Sequence, residues 1–137
     1  MTIRELSDSK IDFDELLLMF IDLEKHHELC HIVYVQKLLE LLNVNGGKCF
    51  IFEIDNLICG FSILYPDFKG GCVGKSLYVK PQYRGAGVFL KIIDYLKKYV
   101  NGNYNYCDLV ATNKYISSMY EKMNFKKIYT IYRYEEK

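Results

Sequence analysis

Tryptophan is absent from the 137 residues, and proline occurs only twice, at Pro66 and Pro81. No serine- or proline-rich tract divides the chain, which excludes a linker-joined pair of domains and leaves one domain, residues 1–137, as the expectation. Excess charge is missing as well: 18 Lys+Arg against 17 Asp+Glu leave a formal net charge of +1. That balance signals neither a nucleic acid nor an anionic membrane as partner. Long apolar runs are lacking, since no window approaches the roughly 20 apolar residues that span a bilayer. The start, Met1-Thr2-Ile3-Arg4-Glu5, has no apolar stretch of the secretion-signal kind. Cys30, Cys49, Cys59, Cys72 and Cys107 are odd in number and show no CxxC spacing, so they read as small buried hydrophobes of a reducing compartment. A cytoplasmic protein is expected. What the chain does have is 50% hydrophobic and 26% charged residues, a globular composition that rules out disorder.

The apolar spacing then lays out the elements. A short strand around Thr2–Leu6 precedes a helix whose expected capping box is Asp12 and Glu15, ahead of Leu16, Leu17, Met19, Phe20 and Leu23. A second helix runs from near His31 to Leu42 and stops at Asn43-Val44-Asn45-Gly46-Gly47. Cys49–Ile54 and Leu57–Tyr65 form a hairpin across Asp55-Asn56, and a further strand covers Val73–Val79. After a glycine-rich turn comes an amphipathic helix with Phe89, Ile92, Ile93, Leu96 and Val100 on one face, ended by Asn101-Gly102-Asn103. Tyr106–Ala111 is a strand, Ile116, Met119, Tyr120 and Met123 line a last helix, and Ile128–Tyr134 alternates as a final strand. The expected class is α/β, an α+β mixed sheet in the order β-α-α-β-β-β-α-β-α-β, with an antiparallel meander followed by a crossover unit.

The turn Tyr83-Arg84-Gly85-Ala86-Gly87 sits between a strand and a helix. The backbone N–H groups of Gly85, Ala86, Gly87, Val88 and Phe89 therefore converge at a helix N-terminus, where unpaired amides and the helix dipole favour a phosphate or diphosphate. A tight turn with no ligand is the alternative reading of a lone Gly-x-Gly. No Gly-Lys-Ser/Thr follows, so the turn is not a P-loop, and its place after the fourth strand does not suit a dinucleotide fingerprint.

Two segments, Leu77-Tyr78-Val79-Lys80-Pro81-Gln82-Tyr83-Arg84-Gly85-Ala86-Gly87 and Asn113-Lys114-Tyr115-Ile116-Ser117-Ser118-Met119-Tyr120-Glu121-Lys122-Met123-Asn124-Phe125, resemble the signatures of the GNAT superfamily of N-acetyltransferases. The first is similar to that family's R-x-x-G-x-G/A diphosphate loop, with Arg84 and Gly87 in place and Phe89 where a small residue is usual. The second is similar to its N-x-x-A-x-x-x-Y-x-x-x-G-F stretch, with Asn113, Tyr120 and Phe125 in register, Ile116 for Ala and Asn124 for Gly. Asn is the best substitute for Gly in a left-handed helix stop. The element order extends the resemblance over nearly the whole chain.

That resemblance implies acetyl transfer from acetyl-CoA, the cosubstrate, to a primary amine by direct attack, without a metal. It implies a splay between the fourth and fifth strands, in which the main chain of Leu77, Tyr78 and Val79 holds the pantetheine arm, and it implies that Asn113 joins the cosubstrate site. Tyr120 would protonate the departing thiolate; a core tyrosine is the alternative. The acceptor would be a small-molecule or peptide amine.

A general base is not evident, because Cys72–Val79 contains no carboxylate. Glu24, His27, Glu28, His31, Glu53 and Asp67 are the other candidates, and Ser76 would position a water. His27-Glu28-Leu29-Cys30-His31 also matches H-E-x-x-H, which on a helix would hold zinc for a hydrolase, yet His26, the only other histidine, adjoins the motif and leaves no third imidazole. A non-catalytic acyl-CoA-binding module and this zinc hydrolase are the competing functions. Only 12 residues follow Phe125, which shortens a closing hairpin and leaves an edge for a second subunit to cover, as in a homodimer.

Overall fold

In the computed structural model, which describes residues 1–23, 31–85, 87–109, 114–128, 132, 134 and 135, five strands form one sheet in the order β1-β2-β3-β4-β5. They are β1 (Thr2–Glu5), β2 (Lys48–Ile54), β3 (Leu57–Pro66), β4 (Cys72–Val79) and β5 (Cys107–Leu109). Four helices accompany them: α1 (Lys10–Leu23), α2 (His31–Asn45), α3 (Val88–Asn103) and α4 (Lys114–Lys122). Asp55 and Asn56 both take positive φ, 52° and 65°, the turn geometry that matches strand twist and closes the β2–β3 hairpin. β1 to β4 pair antiparallel, and β5 runs parallel to β4 after the α3 crossover.

Strand alternation divides the core into two layers. Cys49 and Ile51 face α1 and α2 together with Phe61, Ile63 and Tyr78, meeting Leu16, Met19, Phe20, Val35, Leu38 and Leu42. Phe50 and Phe52 point the other way, with Cys59, Leu64 and Val79, onto Val88, Ile92 and Leu96 of α3. Phe50, Ile51 and Phe52 are all buried, each contributing roughly 1.5–3 kcal/mol. Their apolar run thus reflects a sheet covered on both faces.

Three local features refine the expectations. Helix α1 starts earlier than the Asp12/Glu15 box allows: Ser9 Oγ accepts the Asp12 N–H at 3.2 Å, so the cap is Ser9. Asp12 is instead buried and accepts the Ser7 N–H at 2.8 Å and the Arg4 guanidinium at 2.6 and 2.8 Å. On β4, Gly74 pairs with Leu64 and Ser76 with Ile63, which makes Lys75 an extra residue that bends the strand. At the end of α4, Phe125 N–H donates to the Tyr120 carbonyl at 3.0 Å and Asn124 N–H to that of Glu121 at 3.1 Å, with Asn124 at φ 69°. This is a Schellman stop, and the accompanying apolar contact is Tyr120 against Phe125, ring centroids 5.5 Å apart. The final strand expected over Ile128–Tyr134 falls largely on 129–131 and 133, outside the described residues.

Candidate functional site

The glycine-rich turn is built for close approach. Gly85 and Gly87 take φ of 86° and 74°, and a Cβ built on either would meet nothing within 4 Å. Gly87 is the N-cap of α3 and receives no side-chain cap, and the first turn holds no acidic residue. The first intrahelical bond to it comes from Lys91, whose N–H reaches the Gly87 carbonyl at 3.3 Å. The earlier amides of that turn, Val88 and Phe89 among them, therefore have no helical acceptor. Val88 sinks its side chain into the α3 layer. Ala86 and Asn113 lie outside the described residues.

The end of β4 supplies a second open edge. Lys80 N–H donates to the Cys59 carbonyl at 2.7 Å, so antiparallel alternation turns the main-chain groups of Val79 and Leu77 away from β3, toward the β5 side. The described β4–β5 pairing covers only Cys72–Gly74 against Cys107–Leu109. Leu77–Val79 is thus an edge without a β5 partner among the described residues. Leu77 and Val79 place their side chains in the α3 layer, and Tyr78 places its ring under α1.

Tyr120 is buried on α4, and burial, with the Cys107 thiol second, pushes its phenol above the ordinary range. Its ring is flanked by Phe125 and by Phe89, the latter at a centroid distance of 6.3 Å and an interplanar angle of 28°. The Phe89 ring accordingly packs toward α4 and not into the helix–sheet core, which leaves the space before Gly87 clear.

Residues 45–127 match the acetyltransferase (GNAT) domain family. The chain belongs to the GNAT acetyltransferases. It is accordingly an acyltransferase. No curated protein sequence matches it. Among solved structures it is similar to an acetyltransferase of Trypanosoma brucei, with 22% identity over 98% of this chain and 99% of that one and a TM-score of 0.75. A "predicted acetyltransferase" of Clostridium acetobutylicum solved with acetyl-CoA shares 18% identity over 98% and 95% of the two chains, TM-score 0.75. The aminoglycoside 6'-N-acetyltransferase of Acinetobacter haemolyticus shares 15% over 100% and 99%, TM-score 0.72. At these identities the likenesses establish the fold.

For a GNAT enzyme the acceptor side matters as much as the turn. Glu24, His27 and Glu28 lie outside the described residues, as does the His31 side chain. The rest of the H-E-x-x-H reading therefore rests on sequence alone. Glu53 accepts the Arg4 guanidinium on β2, two strands from β4. Asp67 accepts the Tyr106 hydroxyl and the Lys69 and Gly71 amides, a turn-closing role. Ser76 is half-buried opposite Ile63. The carboxylate that does reach the end of β4 is one the spacing did not single out: exposed Asp22, on the last turn of α1, accepts the Tyr78 hydroxyl. Glu15 on the same helix is already paired with Lys80 at 2.6 Å. A cavity of about 220 Å³ between α3, β5 and the end of α4, lined by Leu96, Cys107 and Phe125, touches neither the turn nor Leu77–Val79.

Proposed function

We propose that the protein transfers an acetyl group from acetyl-CoA to a primary amine of a small molecule or peptide by direct attack. The observation that carries this reading is the adjacency in one motif of two main-chain surfaces with no strand or helix partner among the described residues: the Leu77–Val79 edge, where only the Val79 carbonyl is taken, by Arg84 Nε, and the amides that open α3 at Gly87. The edge suits the amide groups of a pantetheine arm, added as a short extra strand, and the turn suits its diphosphate. Asn113 joins them by resemblance. The neutral amine attacks the thioester carbonyl carbon, the C–N bond forms, the C–S bond breaks, the sulfur takes a proton from the Tyr120 hydroxyl, and the proton that the nitrogen sheds on becoming an amide passes through water to restore the phenol. Asp22 is the carboxylate toward which the incoming ammonium is drawn, and its proton leaves through water.

Calorimetric titration with CoA, followed by thiol-release assays with acetyl-CoA across an amine panel, tests the reading. One-to-one CoA binding and an amine-dependent rate are expected; no CoA binding would overturn it. The missing carboxylate on β4 favours one other reading, an acyl-CoA-binding module without turnover, which tight binding with no rate on any amine would indicate. No described helix is long and apolar enough to cross a membrane, and a cytoplasmic location and a homodimer complete the proposal. Exposed Ile128, Tyr132 and Tyr134 offer apolar surface for the second subunit, which sedimentation would detect.

A further inference from the structure

Arg84 occupies the position at which the diphosphate loop begins, yet its side chain turns away from that loop. Its Nε donates to the Val79 carbonyl at 2.7 Å, and its guanidinium carbon lies 5.4 Å from the centroid of the Tyr78 ring. Tyr78 belongs to the layer under α1 and α2, whereas Val88, the first residue of α3, belongs to the opposite layer. The Arg84 charge therefore lies over the face of the strand away from α3 and its free amides. The Tyr78 ring is itself fixed, since it is buried, packs against Phe61, and donates its hydroxyl to Asp22.

We propose that Arg84 is a positioning residue for the strand end, a brace running from the turn to Val79 and Tyr78, and not the cation that neutralises the diphosphate. The inference rests on the acetyl-CoA reading above. Its physical content is that β3 alone pairs with Leu77–Val79, with no β5 partner among the described residues, so a brace on the open side adds to that single ladder in holding the outward main-chain groups in line for the pantetheine arm. A guanidinium supplies at once an N–H for the carbonyl and a flat face for the ring; an ammonium is a point charge that can donate to the carbonyl but has no flat face to lay on the ring at the same time.

The test compares CoA with pantetheine, which lacks the diphosphate, on the wild-type chain and on Arg84→Lys, Arg84→Gln and Tyr78→Leu. Both Arg84 variants are expected to lose about tenfold in affinity for CoA and for pantetheine alike, near the strength of a charge-assisted hydrogen bond, with the salt dependence of CoA binding unchanged. Tyr78→Leu, which removes the ring under the guanidinium, is expected to lose affinity for both ligands in the same ratio. Arg84 is exposed, so its variants should melt with the wild type, and circular dichroism checks that. The proposal is overturned if Arg84→Lys keeps wild-type CoA affinity, if CoA weakens while pantetheine does not, or if pantetheine fails to displace CoA from the wild-type protein. Failure of CoA to bind the wild-type chain would instead overturn the acetyltransferase reading itself.

Discussion

At the scale of single residues, Tyr120 is where chemistry and packing are hardest to separate, because its ring is buried between Phe89 and Phe125 while its hydroxyl is the proposed acid. Burial pushes the phenol upward, so it stays protonated at neutral pH and able to donate. Tyr120→Phe keeps both ring contacts and removes only the oxygen. Steady-state kinetics should show kcat reduced about a hundredfold or less, because a thiolate is already a good leaving group, with KM for acetyl-CoA nearly unchanged. A wild-type rate would make Tyr120 a packing residue. Asp12 offers a stability counterpart. The Arg4 guanidinium, with the Ser7 N–H and hydroxyl, holds its carboxyl far below the usual carboxylate range. A depressed carboxyl contributes stability above its unfolded value of about 4, and that contribution drains away as pH falls below it. Urea melts should therefore show the wild type losing its advantage over Asp12→Asn as the pH is taken below about 4.

These residues also mark how far the sequence is legible. Asn124 was readable, since a left-handed stop needs Gly or Asn and the pattern around it is local, and the structure puts Asn124 at φ 69°. The tight turn after Arg84 was readable for the same reason, and Gly85 and Gly87 take φ of 86° and 74° there. Where the Arg84 side chain points was not, because that depends on a ring on the neighbouring strand. Asp22 was missed because its partner Tyr78 lies 56 positions away, a distance no spacing rule covers. The Ser9 cap was passed over because the apolar stripe begins in earnest only at Leu16, whereas Ile11 in the first turn is exposed.

At the scale of elements, the two helix ends near the site make opposite demands on their left-handed residues. Gly87 at the head of α3 has open space before it, so a side chain there costs through the backbone and through what it denies the ligand. Gly87→Val should lower stability by about 1–2 kcal/mol, the cost of a left-handed L-residue, and should also weaken CoA binding in calorimetry to the level of pantetheine. Gly87→Ala separates the two effects, since its methyl meets no protein atom within 4 Å. Its stability loss should match that backbone cost, and any further loss of CoA affinity reports on the approach of the diphosphate. At the tail of α4, Asn124→Gly should be neutral or slightly stabilising, and Asn124→Ala should cost about 1 kcal/mol in thermal melts. A larger loss would mean that the Asn124 side chain holds the Tyr120–Phe125 contact in place.

At the scale of the whole molecule, β4 is the hinge of the design. It closes an antiparallel meander on one side and starts a parallel crossover on the other, and its described pairing to β5 covers three residues, Cys72–Gly74. The bulge at Lys75 falls just beyond that pairing. Two helices seal one face and α3 the other, so an arm lying along Leu77–Val79 would pair with the strand and reach the head of α3 together. Acetyl-CoA should therefore add a second tie between two elements that Arg84 and the Val79–Val88 layer already join. A ligand that binds only the folded state stabilises it by about 2.7 kcal/mol at a hundredfold excess over Kd, which for a domain of this size is a rise in Tm on the order of 10 °C. Pantetheine at the same multiple of its own Kd should give the same rise, because the free energy depends on occupancy and not on which contacts supply it. The discriminating measurement is the concentration needed: the wild type should reach the shift at much lower CoA than pantetheine. Gly87→Val should lose that difference, since only the diphosphate uses the turn. If CoA and pantetheine act at equal concentrations on the wild type, the head of α3 holds no anion, and the strand edge alone carries the site.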